Sequence, residues 1–373
     1  MNENSGGGSQ TMMRQLLLTL LIFTVFLVGC SKRPQPTYKG PEPPFEFVKT
    51  LSNARTIAEV YHQIKVINLR TPDTIFIGDI RNIHVNKLGQ IAIIDRANRT
   101  PVVFDSSGNF LFFLGKYGAG PGECRGASAV SYNEGRKQWI VADGVSLGVL
   151  LFDDSGKFLS SFRVPSFVSK IYSDESGHLY LFMPTRRMDC LVEARDYTGR
   201  LIKCFSPPNT LLKRLPFELK GGSICSDNRR VFVTHYIGSS IEAFDNTGQL
   251  DSEFPLKGLA DYLPPDESRI FESPRKFISS FTGVTGLFIA PYDMLVVQYS
   301  QMQFSNEGAR STYKVPLTWL AFFRQDGTLL GQGIRSPVGF YVSDSHGRLY
   351  SMLEPSSVNE NTRIVIWALK HFQ

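Results

Sequence analysis

The sequence predicts an all-β chain that folds as a six-bladed β-propeller with four-stranded blades. Three observations predict this fold: a hairpin repeat, a composition rich in strand and turn formers, and a strand count that closes into a ring. The 373 residues include 28 Phe, 14 Tyr, 32 Gly and 21 Pro. Aromatic residues favour strands, and Gly and Pro favour tight turns. The hydrophobic share of 42% excludes a disordered chain.

Two kinds of hairpin alternate along the chain. Inner hairpins have two apolar strands around a turn rich in Gly, Asp and Asn, and they begin near residues 83, 130, 171, 223, 286 and 340. Outer hairpins have an Asp-x-x-Gly or Gln-Asp-Gly turn and begin near residues 102, 149, 192, 241 and 320. Asp accepts backbone N–H groups at such a turn, and Gly adopts positive φ. From Gly89 to Gly347 the inner turns recur about every 52 residues, which is typical of propeller blades.

The sixth blade lacks one strand in this count. The segment RIVIWALK at residues 363–370 supplies its third strand, and YHQIKVINL at residues 61–69 precedes the first inner hairpin without a partner. We therefore expect the N-terminal strand to become the outermost strand of the last blade, which pairs both ends of the ring. The alternatives are a β-sandwich and a pair of smaller barrels.

The N-terminal segment has the pattern of an export signal. The apolar run at residues 16–28 follows Arg14 and is shorter than the roughly 20 residues of a membrane span. Gly29 and Cys30 close the run and resemble the lipobox of bacterial lipoproteins, in which the cysteine is lipidated and becomes the new N-terminus. The resemblance implies a signal peptide at 1–29, a lipidated Cys30 with a tether to residue 44, and a propeller at 45–373. The alternatives are an incidental cysteine and an uncleaved anchor, and translation starts at Met1, Met12 or Met13.

The stretch at residues 91–123 resembles the NHL repeat. The matching residues are Asp95, Asn98, Arg99, Phe104, Asp105, Gly108, Gly115, Gly118, Gly120 and Gly122. Cys124 departs from the pattern, since the position is often aromatic, and the later connectors lose the glycines. Together with the lipobox, the chain resembles the six-bladed propeller lipoproteins of Bacteroidota. The resemblance implies an outer-membrane lipoprotein of the cell envelope, and the lack of acidic residues closely after Cys30 favours an anchor that faces the periplasm.

The predicted site is the channel mouth on the face formed by the loops within blades and the connectors between blades. Two insertions, at residues 255–285 and 300–314, fall on this face, and binding residues concentrate in variable loops on a rigid scaffold. The predicted ligand-binding residues are Asp95, Arg96, Asn98, Arg99, Lys116, Tyr117, Glu123, Arg125, Asp143, Arg186, Arg187, His235, Tyr236, Tyr299, Gln301 and Glu354. The alternative is structural: Asp95, Asn98 and Arg99 bond neighbouring loops, and the arginine pair forms a solvated turn.

The sequence carries no catalytic signature that names a reaction. It lacks G-x-S-x-G, H-E-x-x-H, P-loop and C-x-x-C motifs, so no catalytic residue, metal or cofactor is predicted. His84 and His235 could converge on a metal, as in NHL-like lyases, but no spacing supports this. Cys190 and Cys204 flank one outer turn, which predicts a cross-strand disulfide or two buried thiols.

These observations predict a monomeric, non-enzymatic binding or scaffold lipoprotein that takes a glycan, peptide or protein. One alternative is a metal-dependent lyase or hydrolase at the channel mouth. Another is an accessory subunit of an outer-membrane uptake system. The net charge of +6, without a run of basic residues, excludes a nucleic-acid partner.

Overall fold

The computed structural model describes residues 41–175, 177–227, 229–304, 313–353 and 362–370. Within these ranges the chain forms six four-stranded antiparallel sheets and one short parallel pair. The innermost strands of consecutive sheets contact one another around a closed ring. The predicted six-bladed propeller is therefore confirmed.

Two helices precede the first strand in the described part of the chain. These elements are α1 (Phe45–Asn53), α2 (Ile57–Val60) and β1 (Tyr61–Asn68). Helix α1 buries Phe47 and Leu51. Helix α2 starts with a capping box, in which the Thr56 backbone N–H donates to Glu59 Oε1 at 2.9 Å.

Each blade follows the predicted order of an inner and an outer hairpin. The strands of blades one to three are β2 (Ile80–Val85), β3 (Ile91–Asp95), β4 (Val102–Phe104), β5 (Phe110–Phe113), β6 (Lys116–Tyr117), β7 (Glu123–Cys124), β8 (Ala127–Asn133), β9 (Gln138–Asp143), β10 (Gly148–Asp153), β11 (Phe158–Arg163), β12 (Lys170–Ser173), β13 (Leu179–Phe182), β14 (Val192–Arg195) and β15 (Leu201–Phe205). The pair β6 and β7 is parallel and belongs to the connector after blade one.

The remaining elements build blades four to six. They are α3 (Thr210–Arg214), β16 (Gly222–Ser226), β17 (Arg230–His235), β18 (Ser240–Asp245), β19 (Leu250–Pro255), α4 (Pro274–Ser279), β20 (Gly283–Ala290), β21 (Met294–Phe304), β22 (Tyr313–Phe323), β23 (Leu329–Ser336), β24 (Phe340–Ser343), β25 (Leu349–Leu353) and β26 (Arg363–Leu369). The insertion before blade five carries a 3₁₀ turn (Glu267–Arg269) and α4. None of the helices in the described ranges is long and apolar enough to cross a bilayer.

The N-terminal strand closes the ring as predicted. Strand β1 pairs antiparallel with β26, from Tyr61 opposite Leu369 to Asn68 opposite Arg363. The sheet order β1-β26-β25-β24 makes β1 the outermost strand of blade six. The first and last segments of the propeller thus share one hydrogen-bonded sheet, so no blade is left with a missing strand.

The outer turns have the chemistry that their sequence predicts. Asp105, Asp153, Asp196 and Asp245 each accept the backbone N–H groups two and four residues later, at 2.8 to 3.0 Å. The glycine three residues after each aspartate has a φ between +74° and +88°. A side chain would be strained in that conformation, so the spacing of Asp and Gly follows from the turn.

The core lies between the blades. Alternate side chains of a strand point to opposite faces of its sheet, so Ile91 and Ile93 pack toward blade six while Ala92 and Ile94 pack toward blade two. Six apolar clusters result, one at each junction of neighbouring blades. Helix α1 covers the junction of blades five and six.

A disulfide links the segment just before β14 to β15, the outermost strand of blade three. Cys190 and Cys204 are bonded, with their Cα atoms 5.7 Å apart. Cys124 and Cys225 are buried free thiols.

Candidate functional site

Three of the predicted site residues end the second strand of their blades and organise the loop that follows. Asp95 accepts the Ala97 N–H at 2.8 Å, and Asp143 accepts the Val145 N–H at 2.9 Å. His235 stands at the same place in blade four, where its Nδ1 accepts the Ile237 N–H at 3.2 Å. These three side chains are buried, and each accepts at least one backbone N–H.

The Asp143 carboxylate accepts several hydrogen bonds from the loops around it. It accepts the Ser146 hydroxyl at 2.6 Å and the Arg125 N–H at 2.9 Å. Burial alone would raise the pKa of Asp143, but the hydrogen bonds from Ser146 and from the backbone outweigh burial and hold the pKa below its ordinary value. Asp143 is therefore an ionised loop anchor.

The other predicted residues of blade one gather around the first connector. Asn98 donates to the Phe76 carbonyl at 2.7 Å, and Arg99 donates to the Tyr117 hydroxyl at 2.8 Å while stacking over its ring. Glu123 accepts the Gly120 N–H at 2.8 Å. Arg96 is exposed, 3.8 Å from Asp79. A cavity of about 510 Å³ lies here, lined by Asn98, Thr100, Phe113, Gly115, Lys116, Tyr117 and Gly156.

The predicted residues of blades three to five that the structure describes contact other parts of the protein through ion pairs, hydrogen bonds and ring packing. Arg186 and Arg187 both approach Glu218 at 3.4 Å. Tyr236 packs edge-on against Phe281. The Tyr299 hydroxyl donates to the Ala260 carbonyl at 2.8 Å, and the Gln301 side chain donates to the Ser279 carbonyl at 3.2 Å. Glu354 lies outside the described residues.

Tyr299 and Gln301 were expected in or beside a loop, but both lie within β21. The expected insertion at 300–314 begins as a continuation of β21 and β22, which remain paired as far as Phe304 and Tyr313. The second and third strands of blade five therefore extend, with one register shift between Gln301 and Gln303, into the segment where a loop was expected.

The larger cavity lies at the other end of the central channel from the predicted site. Its volume is about 660 Å³, and inner-strand residues from all six blades line it together with the short turns that join the first and second strands. None of the sixteen predicted ligand-binding residues is part of its lining. The short inner turns, which lie on the face opposite to the predicted site, surround its mouth.

Strand register arranges the polar lining in levels. The inner turns of blades one, three and four begin at Asn86, Asp174 and Asp227. The residues four positions before them form one level of the lining, and they are Asn82, Lys170 and Ser223. One level nearer the mouth lie His84, Ser131, Tyr172 and Cys225. Both levels line the cavity. A ligand in the channel would therefore meet amide, hydroxyl, imidazole and ammonium groups in succession.

His84 lines the cavity as a neutral histidine. Its Nε2 accepts the Tyr132 backbone N–H at 3.1 Å, so the proton of the neutral ring lies on Nδ1. Burial lowers the pKa of His84 to about 4, which keeps the ring neutral near pH 7. Burial likewise lowers the pKa of His235 to about 4. Because one ring nitrogen of each histidine accepts a backbone N–H, the other carries the proton and has no lone pair for a metal, which argues against the His84 and His235 metal pair.

Cys225 and Tyr172, two further titratable groups of the lining, are protonated near pH 7. Burial raises the pKa of Cys225 well above its ordinary value and raises the pKa of Tyr172 to about 12. A protonated thiol is a poor nucleophile. No three His, Cys, Asp or Glu side chains of the described part come together as a metal site.

The carboxylates around the mouth already have partners. Asp174 meets His178 and the Tyr180 hydroxyl, and Asp344 meets Arg348 and the Tyr350 hydroxyl in the same arrangement. The remaining ones, each with a hydrogen bond or ion pair, are Glu134, Glu175, Asp227 and Asp293. The acidic rim is thus part of the turn structure.

The comparisons with known proteins agree with the architecture. The sequence model of the family DUF5128, described as a 6-bladed beta-propeller, matches residues 47–202. The chain is a six-bladed β-propeller. No curated protein matches the sequence.

Three solved structures illustrate the likeness. A candidate exported protein from Bacteroides fragilis NCTC 9343 is 15% identical with a TM-score of 0.58, over 84% of this chain and 97% of its own. A member of the DUF4221 family from Bacteroides vulgatus ATCC 8482 is 13% identical with a TM-score of 0.56, over 83% and 98%. The protein U3-55K is 10% identical with a TM-score of 0.51, over 81% and 98%. Identities this low show the fold alone, so the NHL-like and lipoprotein assignments stay predictions.

Proposed function

We propose that this propeller is a non-enzymatic binding module that takes a polar ligand into its central channel through the mouth formed by the inner turns. The observation that supports the proposal is the cavity of about 660 Å³ to which every blade contributes. Ligand sites favour concave, largely preformed spaces with a few convergent polar groups. Asn82, Ser131 and Ser343 line this space without a hydrogen bond to any described side chain, so their polar groups are available to a ligand.

A glycan and peptide binding screen on the full chain, followed by two matched variants, tests this proposal. Ser343→Trp places a bulky ring in the channel, whereas Ser107→Trp places the same ring on an exposed outer turn. We expect the first variant to lose binding of any hit by at least about tenfold and the second to retain it. Equal binding by both variants would move the site away from the channel.

We further propose that a lipid on Cys30 holds the propeller at the bacterial envelope. The apolar run at residues 16–28, followed by Gly29 and Cys30, supports this proposal. An acylated cysteine with two or more chains gives stable membrane attachment. Cys30→Ala should move the protein from the membrane to the soluble fraction, with Ser31→Ala as the control that stays bound. Membrane retention of Cys30→Ala would refute the anchor.

A further inference from the structure

Lys170 is an unusual charge for the inside of a channel. It begins β12, where its backbone pairs with Phe182, and it lines the central cavity, yet its side-chain ammonium makes no hydrogen bond or ion pair with any residue that the structure describes. The nearest carboxylate in the sequence of its own hairpin is Asp174, which follows the last residue of β12, so the two Cα atoms are about 13 Å apart at the usual rise of a strand. Asp174 is itself engaged by His178 and Tyr180.

The groups around Lys170 in the channel are mainly uncharged donors. Asn82 and Ser223 stand at the same level, and the Ser223 hydroxyl oxygen accepts the Leu287 N–H at 3.1 Å, which leaves its proton free to donate. One level nearer the mouth, the channel is lined by His84, whose neutral ring carries its proton on Nδ1, and by the hydroxyl-bearing Ser131. A ligand oxyanion at this depth would meet one ammonium and several neutral donors.

We propose that the channel ligand is an acidic sugar whose carboxylate pairs with the Lys170 ammonium while its hydroxyls bond the neutral donors of the two lining levels. This inference rests on the proposed function. An amino acid or peptide ligand would bring its own ammonium group, which would need a carboxylate of the protein. The carboxylates at the mouth are already partnered in the turns, so an acidic sugar fits better. Amide and hydroxyl groups are well suited to bond sugar hydroxyls.

The energetics of the lysine support the same assignment. A charged group that leaves water without a partner is costly, and burial indeed lowers the pKa of Lys170. A ligand carboxylate would restore a charged partner and form a charge-assisted hydrogen bond in a sheltered place. A lysine with a purely structural role would more usually pair with a nearby acid of the protein.

Titration of the full chain with glucuronate, glucose and glycylglycine tests the assignment. Glucuronate and glucose share a pyranose ring and differ at the carboxylate, and glycylglycine carries a carboxylate without a sugar. Lys170→Met removes the charge, Lys170→Gln is a second uncharged variant in case the first fails to fold, and Lys157→Met is the control on an exposed outer turn.

We expect glucuronate to bind at least about tenfold more tightly than glucose, and to lose about tenfold or more in the Lys170 variants but not in Lys157→Met. Equal affinity for the two sugars, no effect of the Lys170 variants, or tighter binding of glycylglycine would overturn the acidic-sugar assignment. If other ligands still bind and Ser343→Trp blocks them, the channel remains the site. If Ser343→Trp blocks no ligand, the proposed function itself fails.

Discussion

At the scale of single residues, the polar side chains that end the second strands serve the backbone. Asp95, Asp143 and His235 differ in chemistry, yet each accepts the N–H two residues later. A buried N–H without a partner is costly, so any acceptor of suitable length satisfies the position. This explains why residues that look like ligand contacts in the sequence are loop anchors in the fold.

Asp143→Ala should destabilise the protein by about 2–4 kcal/mol, because it leaves several backbone N–H groups and the Ser146 hydroxyl without an acceptor. Urea unfolding followed by tryptophan fluorescence measures the change. Asp189→Ala, on an exposed loop position of blade three, is the control and should lie within about 0.5 kcal/mol of wild type. Equal stability of the two variants would contradict the anchoring role.

The outer-turn aspartates predict a loss of stability in acid. The pKa values of Asp105, Asp153 and Asp245 lie below the ordinary value, and hydrogen bonds led by the Thr198 hydroxyl lower the pKa of Asp196 to about 2. At acid pH the unfolded chain binds more protons than the folded chain. The contribution of these aspartates to the free energy of unfolding is therefore complete above their unfolded pKa near 4 and is lost as the pH falls toward 2. Unfolding at pH 4, 3 and 2 measures this, and Asp196→Asn should flatten the dependence. An Asp196→Asn slope equal to that of wild type would argue against this contribution.

At the scale of elements, helix α1 is held close to the outermost strand of blade five. A Cβ at Gly331 of β23 would lie 2.5 Å from the Leu51 carbonyl oxygen, and backbone cannot yield as a side chain can. Leu51 itself is fully buried in the junction of blades five and six. The glycine therefore permits the helix to seat on the sheet.

Gly331→Ala should destabilise the protein by about 1–3 kcal/mol, because the added methyl group displaces α1 from the junction. Thermal unfolding and proteolysis near residues 45–60 measure the effect. Gly135→Ala is the matched control, since its added Cβ meets nothing closer than 3.5 Å. A Gly331→Ala protein as stable as Gly135→Ala would mean that α1 is not docked there.

At the scale of the whole molecule, closure of the ring by β1 couples the two ends of the chain. Ile67 of β1 is buried between blades six and one, whereas Ile64 on the same strand is 42% exposed. Ile67→Asp should cost about 3 kcal/mol or more, because it buries an unpaired charge at the closing junction. Ile64→Asp should change stability little. Urea unfolding of both variants is the measurement, and similar costs would argue against closure through β1.

The repeat made the architecture predictable, whereas the site depended on packing between blades. Asp and Gly at fixed offsets mark each outer turn locally, and the count of hairpins assigned β1 to the last blade. The sequence around Lys170 gave no such local indication. Whether its ammonium has an ion-pair partner depends on the side chains that the other blades place at the same level of the channel. The inner-turn offset of four residues, shared by Asn82, Lys170 and Ser223, was the one pattern that could have pointed to it.

The most direct test of the binding role is a crystal structure of the full chain with a ligand from the screen at saturating concentration. We expect ligand density in the central channel, on the inner-turn side, in contact with Asn82, Ser131 and Lys170. Density on the connector face, beside Arg96 or Arg187, with an unliganded channel would contradict it.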